Sequence, residues 1–255
     1  RRARAGVWPA RLPGVVAGDI RGVRAASAAT AAARAVRGLR CTADKAPPPH
    51  AHHGGPGEKP MVHRFEDPAK WTAVFDSPDR DGWQKPQEIV KRLQLSPGST
   101  VVDIGAGTGY LMPHLAAAVG DKGKVIAVDI EPKMVDYLTE RAKKAKLTQV
   151  TAQLGLPTDP KLAPASVDKI VFLDTWHHVP SRIEYAQKLF AALKPGGTVY
   201  VVDFTMESSH GPPKKHRLLP EAVSLELSTA GFVAEVLPED LPDQYIVAGK
   251  KKANP

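Results

Sequence analysis

The stretch from Val101 to Tyr110 constrains this 255-residue chain more than any other, because an apolar run ending at Ile104 passes straight into glycines at 105, 107 and 109. A strand apolar on both faces belongs in a sheet covered on both sides, as parallel sheets are. Alternating glycines after it permit a tight turn and bring backbone N–H groups close to whatever sits at the start of the next helix. A dinucleotide fingerprint would put its third glycine where this chain has Tyr110, and the acid Asp103 stands inside the turn. A cationic ligand without a pyrophosphate fits that pattern better.

Beyond Ser99, apolar β-rich runs alternate with amphipathic stretches. The alternation predicts strands at Thr100 to Ile104, Val125 to Asp129, Val150 to Gln153, Lys169 to Leu173 and Thr198 to Asp203. Helices are predicted over Tyr110 to Val119, Pro132 to Ala145, Ser181 to Leu193 and Pro220 to Ala230, the last stopped by Gly231. Two final strands, Val233 to Leu237 and Gln244 to Ala248, form a hairpin. The expected class is a doubly wound α/β domain over residues 99–255. Ahead of it, over 61–98, lies a short helical cap: one helix capped by Asp67, the turn Ser77 to Gly82, and a helix from Pro86 to Leu93.

The formal charge of +8 comes from the leader alone, since residues 1–45 hold nine Arg and one Lys against Asp19 and Asp44. From Ala46 onward, 25 basic and 25 acidic residues balance. A neutral domain lacks the cationic footprint that phosphate backbones require, so no nucleic-acid partner is expected and a small molecule fits better. No run of eighteen apolar residues occurs, which excludes a membrane-spanning helix. Cys41 is the only cysteine, which excludes an intrachain disulfide framework and any multi-thiolate zinc or arsenic site. Residues 1–60 are Ala-, Arg-, Pro- and Gly-rich and are expected to be a disordered tail or targeting segment. A cytoplasmic location is expected; an exported lipoprotein anchored through Cys41 and an organelle import leader are the alternatives. His50, His52, His53 and His63 read as a solvated linker rather than a metal site.

An acid followed by Gly-x-Gly-x-Gly resembles the first motif of the class I S-adenosylmethionine-dependent methyltransferases. The resemblance covers about Ser99 to Lys250, and the cap resembles that of a bacterial small-molecule methyltransferase family. It implies a Rossmann-like seven-stranded sheet of order 3-2-1-4-5-7-6 with the last strand antiparallel. S-adenosylmethionine is the implied cofactor and S-adenosylhomocysteine the product. Gly105, Ala106, Gly107, Gly109 and Tyr110 would cradle the cofactor, and Asp103 would order the loop and its amino group. Asp129, at the end of the second strand, matches the acid that takes both ribose hydroxyls, followed by Ile130.

The family's usual acid after the third strand is missing. Leu156 stands there and Asp159 is the nearest carboxylate, readable equally as an adenine contact or as a turn residue before Pro160.

The fourth strand ends in Asp174, Thr175, Trp176, His177 and His178, at the sheet edge where ligands bind. Asp174 and His177 are the catalytic candidates, His177 as a base for a hydroxyl or thiol; the plainer reading is that the paired histidines start the next helix. A magnesium site of the catechol type would need Asp174 and Asp203 plus an oxygen-bearing residue where the chain has Phe204, so no metal is assigned. Arg80, Trp83 and Gln84 are read as a cap over the methyl donor, with Trp83 facing the sulfonium. The basic stretch from His210 to Arg217 is expected to roof the acceptor pocket, as a solvated loop or as cations facing an acidic substrate. The function read from all this is methyl transfer to a small-molecule acceptor by direct displacement. The alternatives are a non-catalytic cofactor-binding regulator and, further off, a nicotinamide-dependent oxidoreductase.

Overall fold

The structure, a computed structural model, describes residues 67–238 and 241–253. Cys41, the Arg-rich leader, the histidines at 50, 52, 53 and 63 and the start of the expected cap lie outside the described residues. Chain order is α1 (Pro68–Phe75), α2 (Arg80–Gln84), α3 (Pro86–Arg92), β1 (Thr100–Ile104), α4 (Met112–Val119), β2 (Lys124–Asp129), α5 (Pro132–Lys144), β3 (Val150–Leu154), β4 (Val167–Leu173), α6 (Arg182–Ala192), β5 (Leu193–Phe204), α7 (Pro220–Thr229), β6 (Val233–Leu237) and β7 (Gln244–Lys250). The seven strands form one sheet, order β3-β2-β1-β4-β5-β7-β6. β1 to β5 are parallel, while β7 runs antiparallel to both β5 and β6.

Side chains alternate across each strand, so the sheet builds two cores at once. Val102 and Ile104 join Phe172, Val199, Val201 and the inner faces of α6 and α7. Val101, Val125, Ala127, Tyr200 and Val202 face α3, α4 and α5 instead. The order reverses between β1 and β4, and the C-terminal ends of both strands open onto that switch point, where α/β sheets bind ligands. β7 brings its first residue, Gln244, to the same edge, opposite Phe204.

Several boundaries differ from expectation for local reasons. The stretch Ser77 to Gly82, expected as a turn, holds the start of α2, and Lys85 in the left-handed region (φ +52°) separates that helix from α3. The cap therefore has three short helices. The helix after the glycine loop starts at Met112 rather than Tyr110, with Pro113 in its first turn. At the end of α7, Gly231 (φ +104°) donates to Ser228 O and Phe232 N–H to Leu227 O. This is the Schellman arrangement, and only a left-handed residue after the helix closes it without strain.

Candidate active site

The glycine loop is held from three sides. Gly105 has φ +72°, and a Cβ there would meet the Thr175 side chain at 2.3 Å, so only glycine lets the loop lie against the end of β4. Gly107 N–H donates to Asp129 Oδ2 at 2.9 Å, and the other oxygen of Asp129 accepts from Glu131 N–H at 3.0 Å. Asp76, at the end of α1, accepts from the Thr108 hydroxyl at 3.0 Å and from Arg141, which also donates to Thr108 O at 2.7 Å. Cap, loop and α5 are thus fastened together.

The cap reaches the sheet through Arg80. Its guanidinium donates to Asp174 Oδ2 at 3.0 Å and to Phe75 O at 2.8 Å, and lies 4.0 Å above the Tyr110 ring. Arg80 Nε also donates to Gln84 Oε1 at 3.0 Å, Gln84 Nε2 to Gln244 Oε1 at 2.5 Å, and Gln244 Nε2 to Asp174 Oδ1. The four side chains close a ring joining α2 to the ends of β4 and β7. Arg80 and Gln84 are buried in a short helix because this ring satisfies them. No local motif in the sequence marks Gln244; its signal is that an antiparallel seventh strand starts at the ligand edge.

Around the switch point negative charge outnumbers positive. Burial, reinforced by the charge of Asp129 and opposed by Arg80, pushes Asp103 up to about 7. Burial likewise raises Asp174 to about 7 against the pull of Arg80, with Asp203 adding to the rise. Asp129 is raised by burial, partly offset by the N–H groups it accepts. Arg80 is paired with Asp174, so among the described residues no ion pair balances Asp103 and Asp129. Beside Asp129, Ile130 and Leu156 keep about half their surface exposed, at 49% and 44%, just past the paired strand ends Asp129 and Leu154. Two exposed apolar side chains flanking an acidic edge suit a flat, apolar-faced group such as a purine.

Asp159 makes the hydrogen bonds of a turn residue. Its carboxylate accepts from Lys161 N–H at 2.8 Å and pairs with Lys188 at 3.1 Å, and those bonds hold it below the usual carboxylate range.

On the far side of Asp174, His177 Nδ1 lies 2.9 and 3.0 Å from the two oxygens of Asp203, with both side chains buried. Trp83 stacks on His210 at 4.3 Å between ring centroids and stands 6.0 Å from Phe204. The structure therefore groups Trp83 with the end of β5 and the loop after it, and the Arg80 guanidinium lies 5.9 Å from its ring. His210 in turn pairs with Asp243 at 3.2 Å. Arg217, expected as a solvated cation or an acidic-substrate contact, donates instead to the carbonyls of Pro212, Thr205, Ser208 and His210, which fixes the loop after β5. Among the described residues, no group of three or more His, Cys, Asp or Glu is placed to hold a metal ion.

Comparison with known proteins decides what kind of site this is. Residues 95–237 match the methyltransferase domain family. An S-adenosylmethionine-dependent methyltransferase from Aquifex aeolicus is 30% identical, covers 72% of this chain and 98% of its own, and superposes with a TM-score of 0.67. The chain belongs to the S-adenosylmethionine-dependent methyltransferases. Among curated relatives, a demethylmenaquinone methyltransferase of Oceanobacillus iheyensis is 26% identical over 48% of this chain and 50% of its own length. An arsenite methyltransferase of Halobacterium salinarum is 26% identical over 60% and 42%. The methyltransferase spans between 35% and 58% of the length of such curated relatives. Its cofactor, S-adenosylmethionine, carries a sulfonium and an ammonium group, the cationic chemistry that the surplus carboxylates call for.

A pH dependence follows for this methyltransferase. Asp103 and Asp174 are raised above an unfolded value near 4, so the cofactor-free protein gains stability from them at low pH and loses it as pH rises through about 7. The cationic cofactor favours their ionised forms, so its binding at pH 6 should release about one proton per carboxylate, and its affinity should climb between pH 5.5 and 7. Calorimetry in two buffers of different ionisation enthalpy measures this; proton uptake would contradict it.

Proposed function

We propose that the chain transfers the methyl group of S-adenosylmethionine to a small-molecule acceptor by direct displacement at carbon. The observation that carries this reading is the buried acidic switch point, Asp103, Asp129 and Asp174, closed over by the Arg80–Gln84–Gln244–Asp174 ring. In this reading Gly105, Ala106, Gly107, Gly109 and Tyr110 form the cradle, Asp103 attracts the ammonium group and Asp129 accepts both ribose hydroxyls. Ile130 and Leu156 flank the adenine, which is read by packing and backbone rather than by a carboxylate. Arg80 holds the cap shut and Trp83 covers the acceptor side. Asp174 and His177 stand nearest the transferred methyl, and the enzyme contributes orientation and exclusion of water. A small acceptor is supported by the neutral charge of the chain beyond Ala46 and by the names of the curated relatives.

Incubation with methyl-labelled S-adenosylmethionine and a panel of small phenols, thiols and amines tests the proposal. Label is expected in a low-molecular-weight product, with S-adenosylhomocysteine released in equal amount. Tight cofactor binding with no transfer to any acceptor would favour a cofactor-binding regulator.

A further inference from the structure

We propose that Asp203 is a positioning residue that holds His177 as the base for an aromatic hydroxyl, so that the acceptor class is a phenol. This rests on the methyltransferase reading above and extends it to the acceptor.

Asp203 is buried near the end of β5 and is saturated with donors. Besides His177 Nδ1, its Oδ1 accepts from Phe204 N–H at 2.9 Å and its Oδ2 from the His177 backbone N–H at 3.3 Å. A carboxylate receiving two backbone N–H groups acts as an acceptor, so the proton on the His177–Asp203 contact belongs to Nδ1. Nε2 of the neutral ring then keeps its lone pair, and any proton it takes creates an imidazolium already paired with a buried carboxylate.

The surroundings select the acceptor. The Phe204 ring is 6.4 Å from His177 and 6.0 Å from Trp83, which is stacked on His210. These rings make an aromatic wall suited to a planar group. An aliphatic ammonium acceptor would need a carboxylate to recruit it, and each one on this side is engaged. Asp203 is held by His177, Asp174 by Arg80 and Gln244, and Asp243 by His210 and Ser209 N–H.

In the reaction, His177 Nε2 takes the hydroxyl proton as the oxygen attacks the sulfonium methyl carbon. A C–O bond forms, the C–S bond breaks and its electron pair stays on sulfur. The products are the aryl methyl ether, S-adenosylhomocysteine and a His177 imidazolium that passes its proton to solvent.

The test uses the full chain and 4-nitrocatechol, whose absorbance reports its ionised form. Loading with S-adenosylhomocysteine is measured first by calorimetry. Failure to load would overturn the methyltransferase reading itself, and this proposal with it. With the loaded protein, titrated between pH 6 and 8, the ionised fraction is expected to rise to that seen about one pH unit higher in free solution. The rise should vanish in His177→Gln and Asp203→Asn while affinity for S-adenosylhomocysteine stays within about twofold. Methylation of the probe by Asp203→Asn should fall by about a hundredfold or more. Binding without ionisation, equal ionisation in both variants, or no binding to the loaded protein would overturn the proposal. Should the variants fail to fold, the imidazole nitrogen spectrum of the native protein decides: a proton on His177 Nδ1 is expected at neutral pH, and a proton on Nε2 alone would overturn the assignment.

Discussion

Arg80→Ala is expected to destabilise the protein by about 3–5 kcal/mol at pH 8, because it leaves Asp174 buried beside Asp203 with no cation. The two side chains are only 10% and 16% exposed, so solvent does not replace the lost partner. At pH 5.5 the loss should be smaller. Asp174 already ionises only near pH 7, and without Arg80 it would hold its proton to higher pH still, becoming a neutral acid that needs no counter-ion. Adding Asp174→Asn should recover part of the loss at pH 8 and little at pH 5.5. Urea denaturation of the single and double variants at both pH values measures this. A loss below about 1 kcal/mol and equal at both would mean that the ion pair does not hold the cap.

Asp129→Ala should weaken cofactor binding by between about tenfold and several hundredfold, as expected for losing one or two charge-assisted hydrogen bonds to the ribose. The same carboxylate also accepts from Gly107 and Glu131 N–H, so the loop loses an anchor as well. A second consequence separates this role from general damage. The charge of Asp129 helps to raise Asp103, so the variant should bind its residual cofactor with less proton release at pH 6. Calorimetry on the variant reads both quantities; unchanged affinity in a folded variant would place the ribose elsewhere.

The sheet was legible because burial on both faces leaves a plain mark. The run from Val101 to Ile104, the glycine stop and the amphipathic stretch from Pro132 specify strand, turn and helix by local pattern alone. The cap was legible only in part. A five-residue helix containing Gly82 has little propensity of its own, and α2 forms because Arg80 and Gln84 find partners 94 and 160 residues away.

The same limit applies at the site. Asp103, Asp129 and the glycines could be read from one motif, since neighbouring residues carry it. Asp203 was weighed only as half of a metal site, because its partner His177 is brought beside it by the pairing of β4 with β5. Trp83 shows the opposite difficulty: its place in the cap was clear, but its neighbours Phe204 and His210 lie more than a hundred residues along the chain, at the end of β5 and in the loop after it.

The acidic switch point under the Arg80 ring suits a sulfonium cofactor. Titration calorimetry of the full chain with S-adenosylmethionine, S-adenosylhomocysteine and NAD tests this most directly. Saturable binding of the first two is expected, with more proton release at pH 6 for S-adenosylmethionine than for its thioether product, and no measurable heat with NAD. Tight NAD binding with no heat from S-adenosylmethionine would contradict it.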